Sequence, residues 1–272
     1  MMRYLLLLVL CSPLAQAQQT PLLERLLLFS GLEAVVSSYP EQIQAQFERR
    51  DVSGPDEQAR QTARQRLLDA YQGMDRAAEL RAYVMSELQL DELKTIVAWF
   101  ESSLGQRLMV AEQNAGTTQG RRAMRDFLVR FDQEPTPDER IRLVQQFEQV
   151  ARLSAINLTV IRSMYESEFL AINAALEQPD RLSALQLHKL MQQQFYSMRD
   201  MMLPGLSSRL LAVSYFTLSE FSDDEIQVYI DFLNSTAGRR LISLYERVPV
   251  YMFSQVVRYA GVDVAEGFFL LP

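Results

Sequence analysis

Few of the side chains that could carry chemistry stand in useful company. The 272 residues include one Cys, Cys11, and one His, His188. A transition-metal site needs several thiolate or imidazole ligands, and a Ser or Cys nucleophile needs an oriented base. His188 stands among Leu185, Leu187 and Leu190 with Lys189 adjacent, and reads as a packed or surface histidine. The sequence contains no Gly-x-Ser-x-Gly elbow, no phosphate-cradling Gly-rich loop and no Asp-x-Asp-x-Asp-Gly calcium loop. It therefore points to no catalytic residue, metal or cofactor, and to a protein that is not an enzyme.

Two groups of residues still deserve weighing. Glu92 and Glu225 with Arg107 and Arg240 recur in two places and can be imagined as an acid and a clamp. A Glu in a first helical turn also complements the helix dipole, and an Arg on a later turn makes an exposed ion pair; structural duty is the stronger reading. Met191, Phe195, Met198 and Met202 fall at i, i+4, i+7 and i+11 on one helix face, with Met201 and Leu203 beside them. Methionine suits an irregular core or an adaptable groove. Core packing is preferred, because a helix hairpin at Pro204-Gly205 would bury the stripe. The alternatives are a pocket for an apolar small molecule, a partner helix or, weakly, copper(I) on thioethers.

These residues must be positioned by helices. Apolar positions recur at three and four throughout, long alternating runs are absent, and Leu, Gln, Glu, Arg and Ala dominate. At 48% apolar and 22% charged, the composition is that of a globular protein, not a disordered or disulfide-stapled one. Breaks are expected at 51–55, 114–118, 134–137, 178–180, Pro204-Gly205 and Val248-Pro249. The fold class is all-α.

The halves on either side of Pro135 and Pro137 repeat. Asp91–Leu108 aligns with Asp224–Leu241 at a constant offset of 133, with six identities: Asp91, Glu92, Ser102, Gly105, Arg107 and Leu108 against Asp224, Glu225, Ser235, Gly238, Arg240 and Leu241. Upstream, Ser86-Glu87 matches Ser219-Glu220 and Arg76 matches Arg209. Each segment reads as helix, break, helix. Ser222 and Glu225 form a capping box, whereas Gln89 stands at the equivalent first-half position and makes a weaker cap. Ser102 and Ser235 end one helix and cap the next. Gly105 and Gly238 then fall in a first turn, where Gly costs about 1 kcal/mol against Ala, so a close backbone approach is expected there.

The run of acidic-Glu-Leu, an aromatic pair, Ser, then Gly-Gln-Arg-Leu resembles the bacterial envelope family catalogued as domain of unknown function 2059. The resemblance covers about thirty residues in each half. It implies an exported, all-helical protein carrying the motif in two copies, and it implies no activity. The chain departs from the pattern at Gln89, and at Ser103 and Thr236, where Pro is usual.

Residues 1–17 read as a secretory signal: Arg3, the apolar run 4–11, then Ala15-Gln16-Ala17 before a mature start near Gln18. Leu10 before Cys11 argues against lipidation. Removal of that segment leaves 26 basic residues against 34 acidic and a net charge of −8. This balance disfavours nucleic acid as a partner, and no segment is apolar for long enough to span a membrane. The expected location is periplasmic, with an extracellular one as the alternative. The helix from Arg121 carries Met124, Phe127, Leu128 and Phe131 on one face and Arg121, Arg122, Arg125 and Arg130 off it. Its stripe is expected to join the core and its arginines to meet carboxylates, a lipid surface being the alternative. Phe268-Phe269-Leu270-Leu271-Pro272 is expected to dock into a groove of the same molecule. The reading is thus a signal (1–17) and two related helical-bundle repeats (18–133 and 134–272) in one compact or bilobal protein. Its expected role is interaction with an envelope protein or self-association.

Overall fold

The computed structural model describes residues 13–48, 57–131, 138–264 and 268–269, and no strand occurs among them. The protein is all-α. The first half contains α1 (Pro13–Ser30), α2 (Leu32–Ser37), α3 (Tyr39–Glu48), α4 (Glu57–Gly73), α5 (Arg76–Glu87), α6 (Leu90–Glu101), α7 (Ser103–Gly116) and α8 (Thr118–Phe131). The second contains α9 (Asp138–Ala151), α10 (Leu153–Ala175), a 3₁₀ turn (Gln178–Asp180), α11 (Ala184–Thr217), α12 (Asp223–Asn234) and α13 (Thr236–Tyr259). The apolar run 4–11, the breaks at 51–55 and 134–137, and residues 270–272 lie outside the described residues. Among the described residues no helix is long and apolar enough to cross a membrane.

Two expected breaks do not occur. Pro204 lies inside the 34-residue α11 and Pro249 inside α13. An interior Pro costs about 3 kcal/mol, while each fully buried large aliphatic or aromatic side chain contributes about 1.5–3 kcal/mol. Val248, Met252, Phe253, Val256 and Val257 are all fully buried around Pro249, so their packing outweighs the lost bond. In α11, Leu187 and Met191 anchor one end and Ala212 and Ser214 the other, across the packing on α9 and α10. The methionine stripe therefore runs along one continuous helix and does not end at a hairpin.

The larger core draws on both halves. Leu26, Leu27, Tyr39, Leu67, Tyr71, Val84 and Ile96 meet Leu170, Ala171, Phe253 and Val256 in it. The smaller core gathers Leu108, Phe147, Ile226, Ile230, Leu233 and Ile242. Trp99 and Phe232 pack against both. Helix α10 lies on α4 and α13, and α13 crosses α4, α5 and α6, so the halves interleave.

Two helices, one in each half, end in the left-handed region. Helix α1 ends at Gly31 in the left-handed region (φ 70°) and α9 ends at Arg152 in the same region (φ 55°). Helix α1 then packs on α6 as α9 packs on α12. Arg152 is not Gly, and a left-handed conformation costs it about 1–2 kcal/mol. Its guanidinium reaches Glu246 of α13 at 3.0 Å.

The C-terminal aromatics dock as expected where they are described. Phe268 and Phe269 are buried in the larger core. Phe268 meets His188 edge-on at 5.5 Å, and the Phe269 N–H donates to Glu166 Oε2 at 2.9 Å. Deleting residues 268–272 should cost about 3–5 kcal/mol from the two lost rings alone. Thermal melting followed by circular dichroism measures this, and an unchanged midpoint would show that the tail contributes nothing to the fold.

Candidate functional site

The repeated motif folds into two helix–Ser–helix corners. Ser102 is extended (φ −64°, ψ 156°) between α6 and α7, and Ser235 (φ −67°, ψ 166°) between α12 and α13. Each hydroxyl accepts from the N–H three residues on: Gly105 at 3.0 Å and Gly238 at 3.1 Å. Neither glycine has room for a methyl group. A Cβ on Gly105 would lie 2.2 Å from the Trp99 carbonyl oxygen, and one on Gly238 would lie 2.0 Å from that of Phe232. The approaching backbone is therefore the last turn of the preceding helix. Thr117 and Gly120 build a third such corner between α7 and α8, with a 2.9 Å cap bond.

The repeated Glu and Arg residues meet across the halves. The Arg107 guanidinium donates to Glu225 Oε1, and Arg240 Nε donates to Glu92 Oε1 at 2.9 Å. Each carboxylate holds its own helix start with its other oxygen, accepting the N–H of Gln89 or Ser222 at 2.9 Å. Gln89 thus receives the reciprocal half of a capping box despite replacing Ser. The capping N–H first, and the facing guanidinium second, hold both carboxyls below the usual carboxylate range. Between the two ion pairs Trp99 stacks flat on Phe232, centroids 4.3 Å apart and planes 5° apart. These two rings occupy equivalent positions at the offset of 133. Each residue therefore contacts the counterpart of the residue that its own counterpart contacts, the pattern of an isologous two-fold contact. Arg107 also lies over the Phe221 ring at 4.9 Å; the residue equivalent to Phe221 is Leu88.

This geometry does not resemble an acid and a clamp around a substrate. Arg107 and Arg240 are about half exposed, and the four charged groups form two separate surface pairs. Among the described residues no three His, Cys, Asp or Glu side chains gather as metal ligands would.

Only part of the methionine face comes together. Met191 and Phe195 of α11 line a cavity with His188, Arg162, Glu166 and Phe169. Its volume, about 20 Å³, holds roughly one water, far below the ~300 Å³ of a small-molecule site. Met191 is buried, while Met198 and Met202 continue along the helix half-buried. Glu166 accepts from Arg162 Nε at 2.9 Å as well as from the Phe269 N–H. Burial pushes its carboxyl up, against the pull of these donors and of nearby His188.

The arginines of α8 correct an expectation. Arg121 bonds to the Gly116 carbonyl and the Thr118 hydroxyl, and Arg130 to the Asp126 carbonyl. None of Arg121, Arg122, Arg125 and Arg130 pairs with a carboxylate among the described residues. Three carboxylates of the second half are engaged elsewhere: Asp223 by Arg140, Glu225 by Arg107 and Glu246 by Arg152. The apolar stripe of α8 is half-covered, with Phe127 against Tyr215 and Phe216.

Sequence reasoning passed over the Trp99–Phe232 stack and the polar band on α10. The stack was signalled only by two aromatics at equal register. In the band, Thr159, Ser163, Ser167 and Glu168 are buried, and Glu168 accepts from Gln46 at 3.3 Å and faces Arg60 at 3.9 Å. No local pattern announces it. No family model, no curated protein and no solved structure matches this chain.

Glycine substitutions test the corner. Gly105→Ala and Gly238→Ala should each destabilise by about 2–3 kcal/mol, because the new methyl meets rigid backbone. Gly205→Ala, in the open interior of α11 with nothing within 4 Å, should stabilise by about 0.5–1 kcal/mol. Urea unfolding of the three variants measures both signs; a neutral Gly105→Ala would refute the close approach.

Proposed function

We propose that this chain is an exported, non-enzymatic helical protein built from two related halves, related to the bacterial envelope family catalogued as domain of unknown function 2059. Its role is to present helical surface to another envelope protein or to a further copy of itself. The observation that carries this reading is the reciprocal clasp: Glu92 to Arg240, Glu225 to Arg107, with Trp99 on Phe232 between them. Six of the repeated polar residues are engaged in architecture: Ser102 and Ser235 as caps, Glu92 and Glu225 as caps and cross-half partners, and Arg107 and Arg240 as cross-half pairs. The two halves thus read as one ancestral unit, duplicated and fused, that once met a second copy of itself across a two-fold axis.

Exchanging the aromatic pair tests the relation between the halves. Trp99→Phe alone leaves a void and Phe232→Trp alone overfills the site, each costing about 1–3 kcal/mol. If the positions are equivalent, the double exchange should return to within about 1.5 kcal/mol of the parent. Additive losses would refute the equivalence. Native mass spectrometry of protein taken from the envelope fraction of expressing cells tests location and role. The expected species starts near Gln18 and carries a protein partner or a second copy. A co-purified apolar small molecule would favour the carrier alternative, and a chain retaining residues 1–17 in the cytoplasm would refute export.

A further inference from the structure

Helix α8 presents charge that its surroundings do not neutralise. It holds Arg121, Arg122, Arg125 and Arg130 against a single acidic residue, Asp126, in a chain whose net charge is −7. All four arginines are exposed. The bonds they make are to uncharged groups: Arg121 to the Gly116 carbonyl and the Thr118 hydroxyl, Arg130 to the Asp126 carbonyl. Among the described residues no ion pair reaches any of them. Exposed arginines on other helices behave differently, since Arg25, Arg107, Arg240 and Arg247 each meet a Glu from a neighbouring helix.

Helical spacing sorts these side chains. At about 3.6 residues per turn, Arg121, Arg122, Arg125 and Val129 share one outward strip, with Asp126 and Arg130 along its edge. Phe127, on the opposite side, packs against Tyr215 and Phe216 of α11. Val129 is 63% exposed, and Leu128 beside the strip is half-buried. Water solvates the guanidinium groups but gains nothing from an exposed Val. A lipid headgroup layer suits both, because phosphates accept from arginine and the boundary with the acyl chains takes a branched apolar side chain.

We infer that α8 docks on an anionic lipid surface, with Arg121, Arg122 and Arg125 binding phosphate headgroups and Val129 entering the headgroup layer. The strip runs about 12 Å along one helix, and mobile headgroups can match whatever spacing the helix sets, where a folded acidic partner would need carboxylates fixed in register. The net negative charge of the chain is repelled by the same surface, so the docked orientation is the one that brings α8 nearest. Attachment is peripheral, by one helix face. The inference stands apart from the two-half reading above.

The test is co-sedimentation of the full chain with phosphatidylcholine vesicles made with and without phosphatidylglycerol. Binding is expected with phosphatidylglycerol only, and it should fall steeply as salt is added. Each arginine near such a surface strengthens partitioning about fivefold, so replacing Arg121, Arg122 and Arg125 together by Gln should weaken binding about a hundredfold. Arg66→Gln, at an exposed residue of α4, should leave it unchanged. Val129→Trp should show blue-shifted emission when the anionic vesicles are added, over the constant signal of Trp99. Circular dichroism should give each variant the melting midpoint of the parent, because the altered side chains are exposed. Equal binding to phosphatidylcholine alone, or a triple variant that binds as the parent does, overturns the inference. So does retention on immobilised polyglutamate without vesicle binding, which would give this face to an acidic protein.

Discussion

Each of Glu92 and Glu225 faces two ways. One oxygen closes the first turn of its own helix, and the other holds an arginine from the opposite half. An exposed ion pair is worth about 0–1 kcal/mol, so the pairs are not what keeps the halves together. The adhesion comes from the Trp99–Phe232 stack and the two cores it joins. What the carboxylates supply is register. A half shifted by one helical turn would set Glu92 against Thr236 or Leu244 in place of Arg240, and Glu225 against Ser103 or Ala111 in place of Arg107, leaving both charges unpaired. Capping and cross-pairing from one side chain therefore couple where a helix begins to how the halves dock.

The same logic explains the tolerance for Gly and Pro at equivalent sites. Gly116 and Pro249 stand at the same register, and both weaken a helix. At Gly116 the helix ends, because Thr117 offers an alternative: its hydroxyl caps the next helix through the Gly120 N–H. At Pro249 the following residues are Val250, Tyr251 and Met252, which offer no cap and have a core to enter. A breaker ends a helix when a competing cap is present and packing is absent. It is overridden when the reverse holds.

Legibility in the sequence follows the range of the interaction concerned. The Ser caps and the capping box at Ser222 lie within three residues and the close approach at Gly105 and Gly238 within six, so local spacing announces them. The docking of Phe268 and Phe269 follows from their size. The continuity of α11 and α13 does not, since it depends on partners far along the chain. Nor does the choice of ion-pair partner: Arg107 lies 15 residues from Glu92 and 118 from Glu225, and it takes the distant one. Three methionines and Phe195 on one face mark an apolar stripe, but only the fold reveals that Met191 and Phe195 line a space with room for about a single water.

The buried charges on α10 carry the argument about the halves one step further. Glu168, almost wholly buried, faces Arg60 of α4 and accepts from Gln46 of α3; Glu166 binds Arg162 and the tail at Phe269. Replacing such groups with apolar residues is often neutral or stabilising, so their presence is no argument for stability. They do constrain position, because a carboxylate in the core can sit only where its donors are. Helix α10 belongs to the second half, yet Glu168 meets donors from α3 and α4 of the first. This polar anchor favours the interleaved arrangement: a first half without α10 would leave Arg60 and Gln46 without the Glu168 carboxylate. The two halves of the chain are thereby tied to one another within a single fold.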